Sequence, residues 1–432
     1  MGRLDLSKIV GQFKRVLSPE TLNGLGRAVR LCHRERLITP YRLALSCLAS
    51  CATMRVETLA DIQRTFNALF GSSVAYKPFH NQLAKCQFGG FMRELVGLML
   101  EHWVVRVLRV EAGGAFVEFS RIVIQDGSSF ALKDTLSSVY PGRFKTKGPS
   151  AVELHVSMDL LEESLTRVVL TPDTFTERAE LPGAEALRGS LLLADRGYFD
   201  IKYLKELDKH NAHFVVRGFI SINPTVLAGY REDGKPMRGV AGKDLKDIAK
   251  PKRKMLDLDV RWGSGEGAFR ARVLVSWNTT KKEYRYLVTN LARARYSPAQ
   301  LTQAYRLRWQ IELLFKEWKS YANLHAFDTN NASIAEGLIW AAIGAALLKR
   351  LLAHATQRLR GVEISTRKVA MCAHHVVSEI FKVLAADRPR RLPRAFEVAL
   401  DYLAVNAKRA HPKRDRRNGR LQLGFVPVVG CA

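Results

Sequence analysis

The sequence is short of acids: 41 Asp and Glu stand against 68 Lys and Arg, a formal net charge of +27. An imbalance of that sign calls for an anionic partner, nucleic acid first and an anionic membrane surface second. There is no CxxC pair. Cys32, Cys47, Cys51, Cys86, Cys372 and Cys431 are scattered, which excludes a zinc ribbon, a redox CxxC motif and a disulfide framework, and fits a reducing cytosol. Long apolar runs are missing too. The longest, Leu338 to Leu348, is closed by Lys349 and Arg350 and is too short to span a bilayer. The first twenty residues alternate apolar and charged side chains without the apolar stretch of a secretory signal. No internal repeat or low-complexity tract is visible. These exclusions leave a basic, cytoplasmic protein with no membrane segment. At 432 residues and 47% hydrophobic content, a substantial core is expected, as two or three domains or as one core with insertions.

Residues 1–115 read as a helical N-terminal region. Thr39-Pro40 opens one helix, and Glu57 to Leu69 has a second amphipathic pattern that Gly71-Ser72-Ser73 breaks. The segment from Lys77 to Lys85 follows, and the pair resembles a helix-turn-helix for DNA. A plain helical bundle with a solvated polar face accounts for the same residues. From about residue 116 the period changes. Ile122–Asp126, Glu153–Leu160, Ser164–Leu170, Leu191–Asp195 and His213–Arg217 read as strands, with helices expected over Glu177–Gly189 and Asp200–His210. Strands interleaved with helices predict an α/β core over 116–217. Residues 218–290 carry three strand-like runs without a helix between the last two, a β insertion. Ser297-Pro298-Ala299-Gln300 is a capping box opening one long helix to about Tyr321, in the second core segment, 291–360. Helices over 332–360 and 366–386 follow. Residues 361–432 form a C-terminal helical region and basic tail. From Arg388 to Arg420 the tail holds eleven Lys or Arg and three acids, and predicts a poorly packed or DNA-facing extension.

Two of the expected strands end in acids, Asp126 and Asp195. Ligand sites in α/β sheets lie beyond the carboxyl ends of strands. If these strands are adjacent, the two carboxylates could share divalent cations, since Mg²⁺ prefers oxygen ligands. Taken singly, each Asp also fits as a turn or cap residue. The long helix supplies a third element. Tyr305, Arg308, Glu312 and Lys319 fall on one stripe at about 100° per residue. A phenol, a guanidinium, a carboxylate and an ammonium on one face suit a metal-and-phosphate site. A solvated face with an Arg308–Glu312 ion pair suits the same spacing. Trp309, Ile311, Leu314, Phe315 and Trp318 read as core.

These residues resemble a known family, the bacterial insertion-sequence transposases of the DDE type in the subgroup carrying a Y-x2-R-x3-E-x6-K signature. Tyr305, Arg308, Glu312 and Lys319 match every spacing of it. Asp126-Gly127 is similar to the family's first Asp block and Asp195-Arg196-Gly197-Tyr198 to its second. The resemblance spans roughly residues 20 to 385; the tail beyond Arg388 matches no pattern of the family. It implies an RNase H-like catalytic core with a β-strand insertion and flanking helical regions. It implies Asp126, Asp195 and Glu312 as catalytic metal ligands for Mg²⁺, with Mn²⁺ as a substitute. It implies Tyr305, Arg308, Lys319, Arg196 and Tyr198 as DNA contacts. It further implies a homodimer on paired transposon ends, acting on terminal inverted repeats and target DNA by cut-and-paste chemistry. Base flipping against Trp277, Tyr284 or Tyr286 is a known use of such an insertion, though packing accounts for each. Two rivals remain at this level: an RNase H-like metal nuclease without strand transfer, and an inactive DNA-binding regulator. Asp134 and Asp200 stand as substitute ligands. Cys47 with Cys51, and the histidine pairs, lack the partners of a metal site.

Overall fold

The structure is a computed structural model that describes residues 4–32, 34, 36–322, 324, 327–410 and 423–430. The N-terminal region is helical as expected, and its starts are written in side chains. Asp5, Ser18 and Thr39 each accept a backbone N–H at the heads of α1 (Leu6–Val16), α2 (Pro19–Ala28) and α3 (Pro40–Thr53), filling otherwise unpaired donors. A capping box between Thr58 and Asp61 starts α4 (Leu59–Phe70), and Gly71, at φ 56°, ends it. Next come α5 (Tyr76–Leu83) and α6 (Gln87–His102). Phe66 of α4 packs on Phe79 of α5 with ring centroids 5.4 Å apart, so these two helices do form a packed pair.

After β1 (Leu108–Val110), the chain builds one nine-stranded mixed sheet. Its members are β2 (Ile122–Ala131), β3 (Ala151–Asp159), β4 (Ser164–Pro172), β5 (Leu191–Ala194), β6 (His213–Arg217), β7 (Thr225–Arg231), β8 (Leu256–Trp262), β9 (Phe269–Asn278) and β10 (Glu283–Thr289), with α7 (Ile201–Lys209) between β5 and β6. The spatial order is β4-β3-β2-β5-β6-β10-β9-β8-β7. The β2–β5 and β5–β6 pairs are parallel and the rest antiparallel. Residues 218–290 thus hold four strands that extend this sheet. The sequence pattern hid β7 because its register slips between Val226 and Ala228, and a bulge breaks period-two alternation. The expected helix over 177–189 is absent. Only short 3₁₀ turns form at Glu177–Glu180 and Glu185–Leu187, because Pro182 and Gly183 lie between them and Pro cannot supply a helix N–H.

The predicted helix from 298 to 321 is two helices, α8 (Pro298–Arg306) and α9 (Trp309–Tyr321). At the junction, Leu307, Arg308 and Gln310 donate three residues back rather than four. The buried α10 (Ala332–Arg360) follows, then α11 (Thr366–Cys372), α12 (His374–Ala385) and α13 (Leu392–Asn406). By length and composition α10 passes for a membrane span, but 94% of its apolar window is buried inside the protein. The tail expectation fails over α13. Leu392, Ala395, Phe396, Ala399, Leu400 and Leu403 are buried, a helical apolar stripe that the local charge average concealed. Residues 411–422 of that tail lie outside the described residues. The short β11 (Phe425–Pro427) returns to pair with β1.

Candidate active site

The two acids meet because their strands are neighbours, although β2 runs on to Ala131, paired with β3 throughout, so that Asp126 lies within its strand and not at its end as expected. Gln125 of β2 is in register with Ala194 of β5, so Asp126 and Asp195 are the next residues on adjacent parallel strands. Three of the signature residues, Tyr305, Arg308 and Glu312, close over them from the α8–α9 junction, while Lys319 stands in the last turn of α9. Tyr305 Oη donates to Asp195 Oδ1 at 2.9 Å. Arg308 donates from Nη1 to Asp126 Oδ2 and from Nη2 to Glu312 Oε1, each at 2.5 Å. Lys319 Nζ donates to the Ser129 carbonyl of β2 at 2.9 Å. Side chains far apart in the sequence are therefore linked by direct contacts, and the helix break at Leu307–Arg308 sets their mutual phase.

Two glycines of the motif have steric causes. A Cβ on Gly127 would lie 2.7 Å from Glu153 Oε1 and 3.1 Å from the Tyr198 hydroxyl, and one on Gly197 would lie 1.5 Å from Glu177 Oε2. Glu153 and Glu177 thus form a second layer of acid behind Asp126 and Asp195. Neither was anticipated from sequence. The available signal was a charged residue inside β3, every residue of which is buried. Arg143 binds Glu153 at 2.5 Å and also donates to Asp173.

The electrostatics separate the paired acids. Burial pushes Asp126 up to about 7, against the pull of Arg308 and of the Gly127 N–H, which donates to Oδ1 at 3.0 Å. Burial also acts on Asp195, but the Arg308 charge, the Arg196 N–H and the Tyr305 hydroxyl outweigh it and hold this carboxyl below the usual range. Burial raises Glu153 to about 7 and lowers the Lys319 ammonium. Among the described residues no three His, Cys, Asp or Glu side chains converge as a ready ion cage, because the Arg308 guanidinium stands between Asp126 and Glu312. The donor chemistry still fits a hard cation: carboxylate oxygens from three elements, two of them side by side.

A cleft of about 1390 Å³ opens onto Asp195, Tyr305, Arg308 and Glu312. Arg217, Lys281, Arg285, Arg306, Arg367 and Lys368 line it, cations brought together from β6, the β9–β10 turn, β10, α8 and α11. Trp309, expected in the core, is 48% exposed at this mouth. It starts α9 just after the break, so its ring turns outward, with Lys316 Nζ 4.9 Å from its centroid. Tyr198, expected to touch DNA, is 1% exposed; the turn after Asp195 directs it into the core behind Gly127, where its ring is closed off from DNA. Arg196 is exposed, beside the Phe219 ring. Asp200 caps α7 and Asp134 begins a 3₁₀ turn; neither is linked to the cluster by a hydrogen bond or ion pair. Tyr286 is buried, and Trp277 packs edge-on against Tyr284 at 4.8 Å, which is ordinary packing.

Residues 118–348 match the family described as the transposase DDE domain. The transposase for insertion sequence element IS231E of Bacillus thuringiensis subsp. finitimus is 21% identical over 366 residues, 74% of this chain and 74% of that one. The transposase for insertion sequence element IS1151 of Clostridium perfringens is 23% identical over 240 residues, 47% of this chain and 50% of that one. The piggyBac transposase, solved as a synaptic complex with hairpin DNA, superposes with a TM-score of 0.48 at 12% identity, over 95% of this chain and 88% of that one.

Proposed function

The chain belongs to the transposase DDE domain family and is a DNA transposase; from that premise we propose that it moves an insertion sequence by cut-and-paste, with Asp126, Asp195 and Glu312 as its catalytic metal ligands. On this reading it is one of the subgroup with the Y-x2-R-x3-E-x6-K signature, which the spacing of Tyr305, Arg308, Glu312 and Lys319 supports. Residues 116–217 and 291–360 make an RNase H-like core, and residues 218–290 are its β insertion. Residues 1–115, with α4 and α5, read the terminal inverted repeats, and residues 361–432 add a C-terminal helical region and basic tail. The active unit is a homodimer on paired ends, in the cytoplasm.

The observation that carries this reading is the meeting of three signature residues with the two acids of the neighbouring strands: Arg308 on Asp126 and Glu312, Tyr305 on Asp195. The three carboxylates would hold Mg²⁺, or Mn²⁺ in its place, supplying activation of the attacking oxygen and charge neutralisation at the leaving one. The chain's own groups do the rest. Tyr305 keeps Asp195 oriented and ionised through its hydroxyl. Arg308, a fork-shaped donor always charged, turns from the carboxylates to the scissile phosphate when DNA arrives. Lys319, fixed to the β2 backbone, adds a second phosphate contact, and Arg196 lies exposed beside Asp195 for a third. The basic cleft carries the duplex, its cations replacing the counterions of the DNA backbone.

Transposition differs from plain nuclease action in the joining step. Purified protein, Mg²⁺, a terminal-repeat duplex cut at the element boundary and a supercoiled target plasmid separate the two. Joined products are the expected outcome. Efficient end cleavage on an intact duplex with no joining at any target concentration would favour the nuclease reading.

A further inference from the structure

The connection between β2 and β3 ends in a short hairpin over residues 141–150. Its base is fixed by backbone pairing. Pro141 bridges Ser150, and the Gly142 N–H donates to the Pro149 carbonyl at 2.9 Å. Its first residue beyond the base is pinned more firmly. The Arg143 N–H donates to Asp173 Oδ2 at 3.1 Å, Nε to the Asp173 carbonyl at 2.6 Å, and Nη2 to Glu153 Oε2 at 2.5 Å. Glu153 and Asp173 are 2% and 4% exposed, so the anchor is internal. The other oxygen of Glu153 lies over Gly127, the residue after Asp126. One carboxylate therefore separates the root of this hairpin from the candidate active site.

The tip is built differently. Phe144 is 71% exposed, more than any other aromatic among the exposed large hydrophobics. Lys145 and Lys147 beside it are exposed and form no ion pair with any described residue. Phe175, 52% exposed, stands on the adjoining loop two residues after Asp173. A rigidly rooted loop that offers apolar rings between unpaired ammonium groups suits a partner with an anionic surface and an apolar interior. Duplex DNA is that partner, since phenylalanine wedges entering the minor groove between phosphate contacts are a general mode of DNA engagement. Position selects which part of the duplex. The basic cleft lies on the β6–β10 side of the acids, lined by Arg217 and Arg285. The hairpin rises from β2 and β3, on the other side in the sheet order. A strand crossing the acids has DNA on both sides of the scissile phosphate; with the element's repeat taken to lie in the basic cleft, the flank falls on the hairpin's side.

We propose that the 141–150 hairpin is a DNA-holding finger for the flank outside the element: Lys145 and Lys147 hold its backbone phosphates and Phe144 enters its minor groove. This rests on the reading that the acids mark the cleavage point. The test compares two duplexes carrying the terminal repeat, one continuing into flanking DNA and one ending at the cleavage position. Binding of each is measured across a range of salt with wild type, Phe144→Ala and the double variant Lys145→Ala, Lys147→Ala. The exposed positions leave folding intact, which thermal melting confirms. Wild type is expected to bind the flanked duplex more tightly and with a steeper salt slope, by about 2 for two phosphates. The lysine variant should lose that extra slope and match wild type on the ended duplex. Phe144→Ala should weaken the flanked duplex alone, by about tenfold, the loss of one buried ring. Equal losses on both duplexes, or no loss on either, would overturn the finger. A wild type indifferent to both duplexes would reject the transposon-end reading and the finger with it.

Discussion

Arg308 holds Asp126 and Glu312 together with two charge-assisted bonds of 2.5 Å, and it is only 13% exposed. A divalent cation at those carboxylates and this guanidinium are alternative sources of positive charge at one place. Arg308→Ala should therefore strengthen Mn²⁺ binding to the DNA-free protein while depressing end cleavage. Bonds to charged groups are worth about 1.5–3 kcal/mol, so the affinity gain is roughly tenfold to a hundredfold. A Mn²⁺ titration followed by electron spin resonance measures it, and unchanged affinity would show that the two do not compete. At this scale much of the candidate site was legible in the sequence. Asp126 and Asp195 were visible as acids ending apolar runs, and Arg308 with Glu312 as a spaced pair. Glu153, Glu177 and the burial of Tyr198 were not, because they depend on strand register and on the turn after β5. Spacing along one chain carries neither.

Among the elements, the signature helix shows both the reach and the limit of periodicity. Its start at Ser297 was legible from the capping box. Its break at Leu307–Arg308 was not, since both residues are good helix formers and only the pull of Arg308 toward two carboxylates favours the tighter turn. The basic tail failed in the opposite way. Averaged charge suggested loose packing, yet Phe396 of α13 is fully buried and meets Phe13 of α1 edge-on at 4.9 Å. Phe396→Ala should cost about 3–5 kcal/mol, read as a lowered denaturation midpoint; a midpoint within error of wild type would return α13 to the surface. In α10, His354 is buried, and burial with the nearby Arg350 charge lowers it to about 3 from 6.5, the Glu163 carboxylate opposing. The folded protein keeps this imidazole neutral where the unfolded chain takes up a proton. Stability should therefore decline as pH falls from 6.5 toward 3, by at most about 1.4 kcal/mol per unit from this group. In denaturant titrations the stability difference between wild type and His354→Gln should be constant above pH 6.5 and shift against wild type as pH falls from 6.5 toward 3. A constant difference across that window would contradict the buried neutral state.

For the molecule as a whole, the sheet order does what no local pattern can: it sets β2 beside β5 and brings acids from distant segments together. The alternation of strands and helices made the α/β class readable, while the addition of β7–β10 to the same sheet depended on long-range pairing that sequence patterns do not encode. Part of the +27 charge lies in a basic cleft at the acids, and Lys145 and Lys147 stand exposed on the hairpin between β2 and β3. Lys319→Ala, which removes an exposed cation from the last turn of α9, should lower the salt slope of end binding by about 1; a full-strength slope would take Lys319 off the DNA. The central claim is that Asp126, Asp195 and Glu312 cut DNA at the element's ends. Its most direct test is cleavage of a labelled terminal-repeat duplex by wild type and Glu312→Gln, each with Mg²⁺ and with EDTA. The account expects cutting at the repeat boundary by wild type with Mg²⁺ only, and a variant that binds the duplex normally without cutting it. Cleavage by Glu312→Gln at the wild-type rate, or cleavage that persists in EDTA, would contradict it.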